Sequence, residues 1–178
     1  LGVSRREIRD GIRRGLREQA AFHAFLMDRG AAAVAEVEKA DAHAVVLLGR
    51  PYNLYDRDVN LNIPAKLRDN YGANVIPVDF LPVDGIDIRD IHGNMFWNYG
   101  RRIIAAARWC RTRPRFHLVY ITNFKCGPDS FIRHFITRAS ESPYLSLQFD
   151  GHGNDAGYMT RCEAYLDSKG VLRWWAEK

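Results

Sequence analysis

From residue 44 onward, short apolar runs alternate with amphipathic segments of helical period, and this alternation constrains the fold more than any other feature. Ala44–Leu48 is an unbroken apolar run that stops at Gly49, and residues 74–80, 116–121 and 143–149 hold runs of the same kind. Between and after them, residues 62–71, 94–110, 129–138 and 155–167 repeat apolar side chains at helical spacing. Phe96, Tyr99, Ile103 and Ala107 share one face of the second such segment. Phe131 with Phe135, and Ile132 with Ile136, do so in the third. Gly72 and Gly170 close the first and last, and residues 84–90 form an acidic loop. Strand runs without polar alternation are buried on both faces, as in a parallel sheet whose strands are joined by helices. The pattern therefore predicts an α/β fold: a Rossmann-like, mainly parallel sheet of about four strands with helices on both faces.

An N-terminal helical segment precedes this pattern. Ile8, Ile12 and Leu16 recur every four residues, and Phe22, Phe25 and Leu26 continue the stripe, so residues 4–29 read as a packing helix. Ser4 and Glu7 have capping-box spacing. Gly30 is expected to end this helix, with a second, alanine-rich one over residues 31–39. The division is then a helical extension over residues 1–40 and a Rossmann-like domain over residues 41–178. The chain opens on Leu1 and is read as a segment of a longer protein. Trp174 and Trp175 near its end suit an edge strand or a contact with a neighbour.

Composition narrows the function classes. A hydrophobic fraction of 47% and a charged fraction of 26% fit a soluble globular core and argue against bulk disorder. No apolar run approaches a membrane span, and no signal peptide is visible. Three widely spaced cysteines, Cys110, Cys126 and Cys162, argue against a disulfide framework and for a reducing cytoplasm. The net charge of +5 is carried largely by arginine clusters at residues 5–17 and 101–115. Neither has a nucleic-acid signature; they read as solvated helix faces or contacts to an acidic partner.

In open parallel sheets, ligands bind beyond the carboxyl ends of the strands. The least generic residues of this chain fall there. Gly49, Arg50 and Asn53 follow the first strand. Lys125, Cys126, Gly127 and Ser130 follow the third, and His152 and Asp155 the fourth. Cys126 sits between a strand and a helix start, where partial positive charge favours a thiolate nucleophile or metal ligand; its bland alternative is a turn residue that fills space. His152 and Asp155 are the acid/base candidates, although Asp155 also suits a helix N-cap. Gly49, Arg50, Asn53, Lys125, Gly127, Ser130 and Arg161 are candidate contacts for an anionic ligand. Asn60 and Asn62 read as caps of the next helix, and Cys162 lies on an apolar helix face.

Several strings together resemble one family. They are Val45 to Asn53 (VVLLGRPYN), Val59 to Pro64 (VNLNIP), Asn94 to Trp97 with Tyr99 and Gly100, Thr122 to Phe131 (TNFKCGPDSF), Asp155 to Gly157, and Thr160 to Leu166 (TRCEAYL). They resemble the acyl-CoA dehydratase activase-related proteins, relatives of 2-hydroxyacyl-CoA dehydratase subunits. The resemblance spans about residues 8 to 168. It implies a long chain whose other domains include an ATP-binding activator module. It also implies a 4Fe-4S cluster shared between domains, with Cys126 as one metal ligand and Cys162 as a second candidate, and a CoA thioester as the ligand served.

Three functions stay open at this point. The first is an iron–sulfur redox module for CoA-thioester chemistry, within a dehydratase-like lyase or an ATP-driven electron-transfer system. The second is a non-catalytic docking or scaffold domain. The third is a metal-free pocket for CoA or phosphate, in which Arg50, Lys125 and Arg161 outweigh Cys126.

Overall fold

The computed structural model describes residues 2–151 and 153–172. Its four strands, β1 (Ala44–Leu48), β2 (Asn74–Pro77), β3 (Phe116–Asn123) and β4 (Leu145–Phe149), form one sheet in the order β2-β1-β3-β4, with every pair parallel. Val46 lies opposite Ile76 on one side and Leu118 on the other, and Ile121 lies opposite Leu147. β1 is buried along its whole length, which is why it reads as an unbroken apolar run. β4, at an edge, buries Leu145, Leu147 and Phe149 but leaves Ser146 and Gln148 partly exposed.

Among the described residues six helices flank the sheet: α1 (Arg5–Lys39), α2 (Pro51–Tyr55), α3 (Ile63–Tyr71), α4 (Asn98–Arg111), α5 (Gly127–Ser140) and α6 (Ala156–Ser168). β2 is shorter than its apolar run because Pro77 has no N–H for the ladder, and a 3-10 turn over Val78–Phe80 follows. α4 starts at Asn98, later than the periodicity predicts. α2 has no apolar period that would announce it in the sequence. Pro51 sets its first turn. Among the described residues, no helix is long and apolar enough to cross a membrane.

The capping box forms as its spacing predicts. The Ser4 N–H donates to Glu7 Oε2 at 2.8 Å and the Glu7 N–H to Ser4 Oγ at 3.3 Å. The expected break at Gly30 does not occur, because α1 runs through it as a single helix of 35 residues. Gly30 is there for close packing. A Cβ at this position would lie 1.7 Å from the carbonyl oxygen of Phe80. The cost of a helical glycine, about 1 kcal/mol, is offset by letting the helix sit on the turn after β2.

α1 runs opposite in direction to β2. Val37 lies beside the Asn74 end of the strand and Gly30 against Phe80 beyond its other end. A helix of 35 residues spans about 52 Å, far more than a four-residue strand, so its first half overhangs the sheet. Hence Ile8, Ile12, Leu16, Phe22 and Phe25, expected to pack, are 52–62% exposed. Only Gly30 and Val37 of α1 are fully buried.

Candidate functional site

The chain leaves β1 toward β2 on one side, and β3 lies on the other, so the carboxyl ends of β1 and β3 flank a topological switch point. Gly49 and Arg50 leave β1 there. The backbone passes so close to β3 that a Cβ on Gly49 would lie 2.7 Å from the Ile121 carbonyl oxygen. Arg50 turns across the gap, and its Nε donates to Asp129 Oδ1 at 2.7 Å. The Thr122 hydroxyl donates to Asp129 Oδ2 at 3.0 Å, and the Tyr120 hydroxyl to the Asp129 carbonyl at 3.2 Å. Asp129 is fully buried, and a buried carboxylate persists only with such partners. Burial works against the Arg50 charge, but the bond to Asp129 and its charge outweigh it and hold the guanidinium above its ordinary pKa.

Cys126 lies beside this pair. β3 ends at Asn123, Lys125 takes a left-handed backbone at φ 61°, and Cys126 becomes the N-cap of α5. The Cys126 N–H donates to the Asn123 carbonyl at 3.2 Å, and its own carbonyl accepts the first helical bond, from Ser130 at 2.9 Å. A left-handed non-glycine residue is strained by about 1–2 kcal/mol, and this one sets where the thiol stands. Cys126 is half-buried and reaches the electrostatics of Arg50, Tyr52 and Tyr120. Burial first, then Asp129 and the Cys126 thiol, push the Tyr52 phenol up. Gly127 has neither a left-handed backbone nor a neighbour within 4 Å of a Cβ, so the protein's own packing does not require a glycine there.

The other sequence candidates are dispersed. Asn53 turns inward, donating to the Ile121 carbonyl at 3.5 Å, and is fully buried. Asn60 does not cap a helix; its side chain donates to the carbonyls of Asn53 and Leu54 at 2.9 and 3.0 Å. Asn62 is the N-cap residue of α3 but makes no side-chain cap bond. Lys125 stands over the Phe124 ring, and Ser130 is exposed on α5. Asp155 occupies the N-cap position of α6 without the cap bond; its carboxylate pairs with Lys66, which lowers its pKa. Arg161 donates to the Ser146 carbonyl at 2.6 Å. Cys162 is buried in the core, and burial pushes its thiol up to about 12. His152, with Trp174 and Trp175, lies outside the described residues.

Sequence reasoning missed three parts of this region. Asp129 read as helix-start residue, although an acid in the first turn after β3 facing an arginine after β1 was a usable signal. Lys66 carried none. The third is a cleft of about 620 Å³ between α1, α2 and the start of α4. Phe22, Leu26, Pro51 and Phe80 wall it. At its floor Asp79 accepts the Tyr55 hydroxyl at 2.9 Å and the Tyr99 hydroxyl at 3.1 Å, with Arg102 at 3.7 Å.

The chemistry of this edge suits one ligand position of a cluster. It offers one half-exposed thiol at a helix N-terminus, where negative charge is favoured, with open space over Gly127. Among the described residues no group of three or more His, Cys, Asp or Glu could hold a metal ion. Further ligands would have to come from elsewhere.

Residues 1–81 match the family model described as CoA enzyme activase uncharacterised domain. Over these residues the chain is similar to that CoA enzyme activase family. The match runs from α1 through the turn after β2, so it includes Gly49, Arg50 and Asn53, whereas Cys126 and Asp155 lie beyond it. No curated protein and no solved structure matches the chain.

Proposed function

We propose that this domain serves CoA-thioester chemistry by presenting Cys126 as one ligand of an iron–sulfur cluster, with the remaining ligands supplied by other domains of a longer chain. The observation that carries this reading is the setting of Cys126. Cys110 and Cys162 are buried in the core, whereas Cys126 stands half-exposed at the switch point of the sheet. The family description supports the CoA-dependent context. When bound, a cluster would supply electron transfer or Lewis-acid activation. The chain's own part is to hold the thiol: left-handed Lys125 sets its place at the start of α5, and the Arg50–Asp129 pair fixes α5 against β1. The setting is a reducing cytoplasm, on the spacing of the cysteines, and the partner domains include an ATP-binding activator module, as the resemblance implies.

The test is anaerobic expression of the longest natural chain that contains this segment, with iron, acid-labile sulfide and the visible spectrum measured beside Cys126→Ser. A brown protein whose cluster is lost or altered in the variant supports the reading. A colourless protein that stays metal-free after reconstitution refutes it.

A further inference from the structure

The overhang of α1 is a built surface. At 100° per residue, Ile8, Ile12, Leu16 and Phe22 fall on the same side of the helix as Leu26, Gly30 and Val37. From Leu26 onward this side packs on the domain. Before it, the same apolar side continues for roughly 20 Å from Ile8 to Phe22, and Ile8, Ile12, Leu16 and Phe22 stay more than half exposed. The stripe thus carries the pattern of a core face into a place where this chain has no core.

Two further observations say what fits there. Gly11 and Gly15 stand beside Ile8 and Ile12 on this side, and a Cβ at either would meet nothing within 4 Å. Each glycine weakens the helix by about 1 kcal/mol with no return inside this chain. Gly30 shows the return that a glycine in this helix can give, which is the close approach of another backbone. Glycines four residues apart offer the same to a crossing helix.

The second observation is charge. Arg5, Arg6, Arg9, Arg13, Arg14 and Arg17 outnumber Glu7, Asp10 and Glu18 along this stretch. Glu7 is engaged in the cap, and Asp10 lies 3.9 Å from Arg6 and 3.6 Å from Arg13. Arg9 borders the stripe directly, and Arg5 stands at its outer end. A second copy of the chain would bring the same positive surplus to the contact, so the border selects an acidic partner.

We infer that residues 5–22 of α1 are the docking site of a partner helix with a small and apolar contact face and acidic side chains along the border that meets Arg5, Arg9 and Arg13. The helix backbones cross at Gly11 and Gly15. The cleft at the inner end of the stripe, between Phe22, Leu26 and Phe80, takes a large apolar side chain of the partner. This site does not involve Cys126, so it and the cluster reading stand or fall separately.

The probes are two synthetic amphipathic helical peptides with alanine and leucine on one face, one bordered by glutamates and the other by lysines. Binding to this chain is read by fluorescence anisotropy at two salt concentrations. The glutamate peptide is expected to bind, more weakly at high salt, and the lysine peptide not to bind. Gly15→Leu should weaken binding about tenfold or more, while the circular dichroism melt is unchanged or raised, since the new side chain meets only solvent in the free chain. Arg9→Glu with Arg13→Glu should turn the preference toward the lysine peptide. Equal binding of both peptides, or of neither, overturns the inference. So does concentration-dependent dimerisation of the chain that Gly15→Leu abolishes, because the occupant is then a second copy.

Discussion

Arg50 and Asp129, 79 residues apart in sequence, form a 2.7 Å ion pair that ties the end of β1 to the first turn of α5, and the carboxylate is entirely shielded from water. The two ends of this pair are unequal. Arg50 keeps some contact with solvent and can swing out; Asp129 cannot. Arg50→Met should therefore destabilise the fold by about 3–5 kcal/mol, because it strands a buried charge. Asp129→Asn should cost less, and the double variant less than the sum of the two. Urea unfolding of the four members of this cycle measures it. Additive losses would show that the pair is not coupled.

The glycines of α1 predict opposite signs within one helix. Gly30→Ala should lose about 3 kcal/mol, near the top of the range for overpacking, because its Cβ would run into the Phe80 carbonyl. Gly11→Ala, in the overhang, meets nothing and should raise helicity. Far-ultraviolet circular dichroism and thermal melts of both variants decide this. A neutral Gly30→Ala would mean that α1 does not sit on that turn.

That same helix shows what the sequence could and could not reveal. The strands and most helices were legible because burial on a sheet leaves a period. Gly30 read as a stop because helix propensity is local, whereas its real constraint, the Phe80 backbone, is fifty residues away. Ile8, Ile12 and Leu16 have the period of a packed face, and period alone does not say which molecule they pack on. Arg50 and Cys126 were singled out because both follow strands. Asp129, which pairs with Arg50, was hidden because its role depends on the strand order. Asn60 read as a cap from composition, yet it serves two carbonyls of the preceding turn.

At the other end of the sheet, a histidine pair makes stability depend on pH. His43 and His117 stack with ring centroids 5.0 Å apart and share a 2.8 Å hydrogen bond between Nδ1 and Nε2. Burial, then the neighbouring His43, Lys169 and Arg115, pushes His117 down to about 4, and burial also lowers His43. The folded chain thus holds His117 neutral where the unfolded chain, with an ordinary pKa near 6.5, takes up a proton. Its contribution is complete above about pH 6.5 and is lost as the pH falls toward 4, by on the order of 3 kcal/mol. Urea midpoints between pH 4 and pH 7 should fall with acid in the wild type and less steeply in His117→Leu. Parallel slopes would remove His117 as the cause.

The three thiols should separate cleanly by reactivity. Cys126 is half-buried at a helix start, whereas Cys110 and Cys162 are buried, and burial pushes the Cys162 thiol up to about 12 and that of Cys110 higher still. The thiolate is the reactive form, so both core cysteines are disfavoured twice, by access and by ionisation. Iodoacetamide at neutral pH should alkylate the native, metal-free chain at Cys126 alone, with Cys110 and Cys162 modified only after denaturation. Peptide mass spectrometry locates the adducts. Native alkylation of Cys162 at a comparable rate would show that the core opens there, and would take away the contrast that sets Cys126 apart.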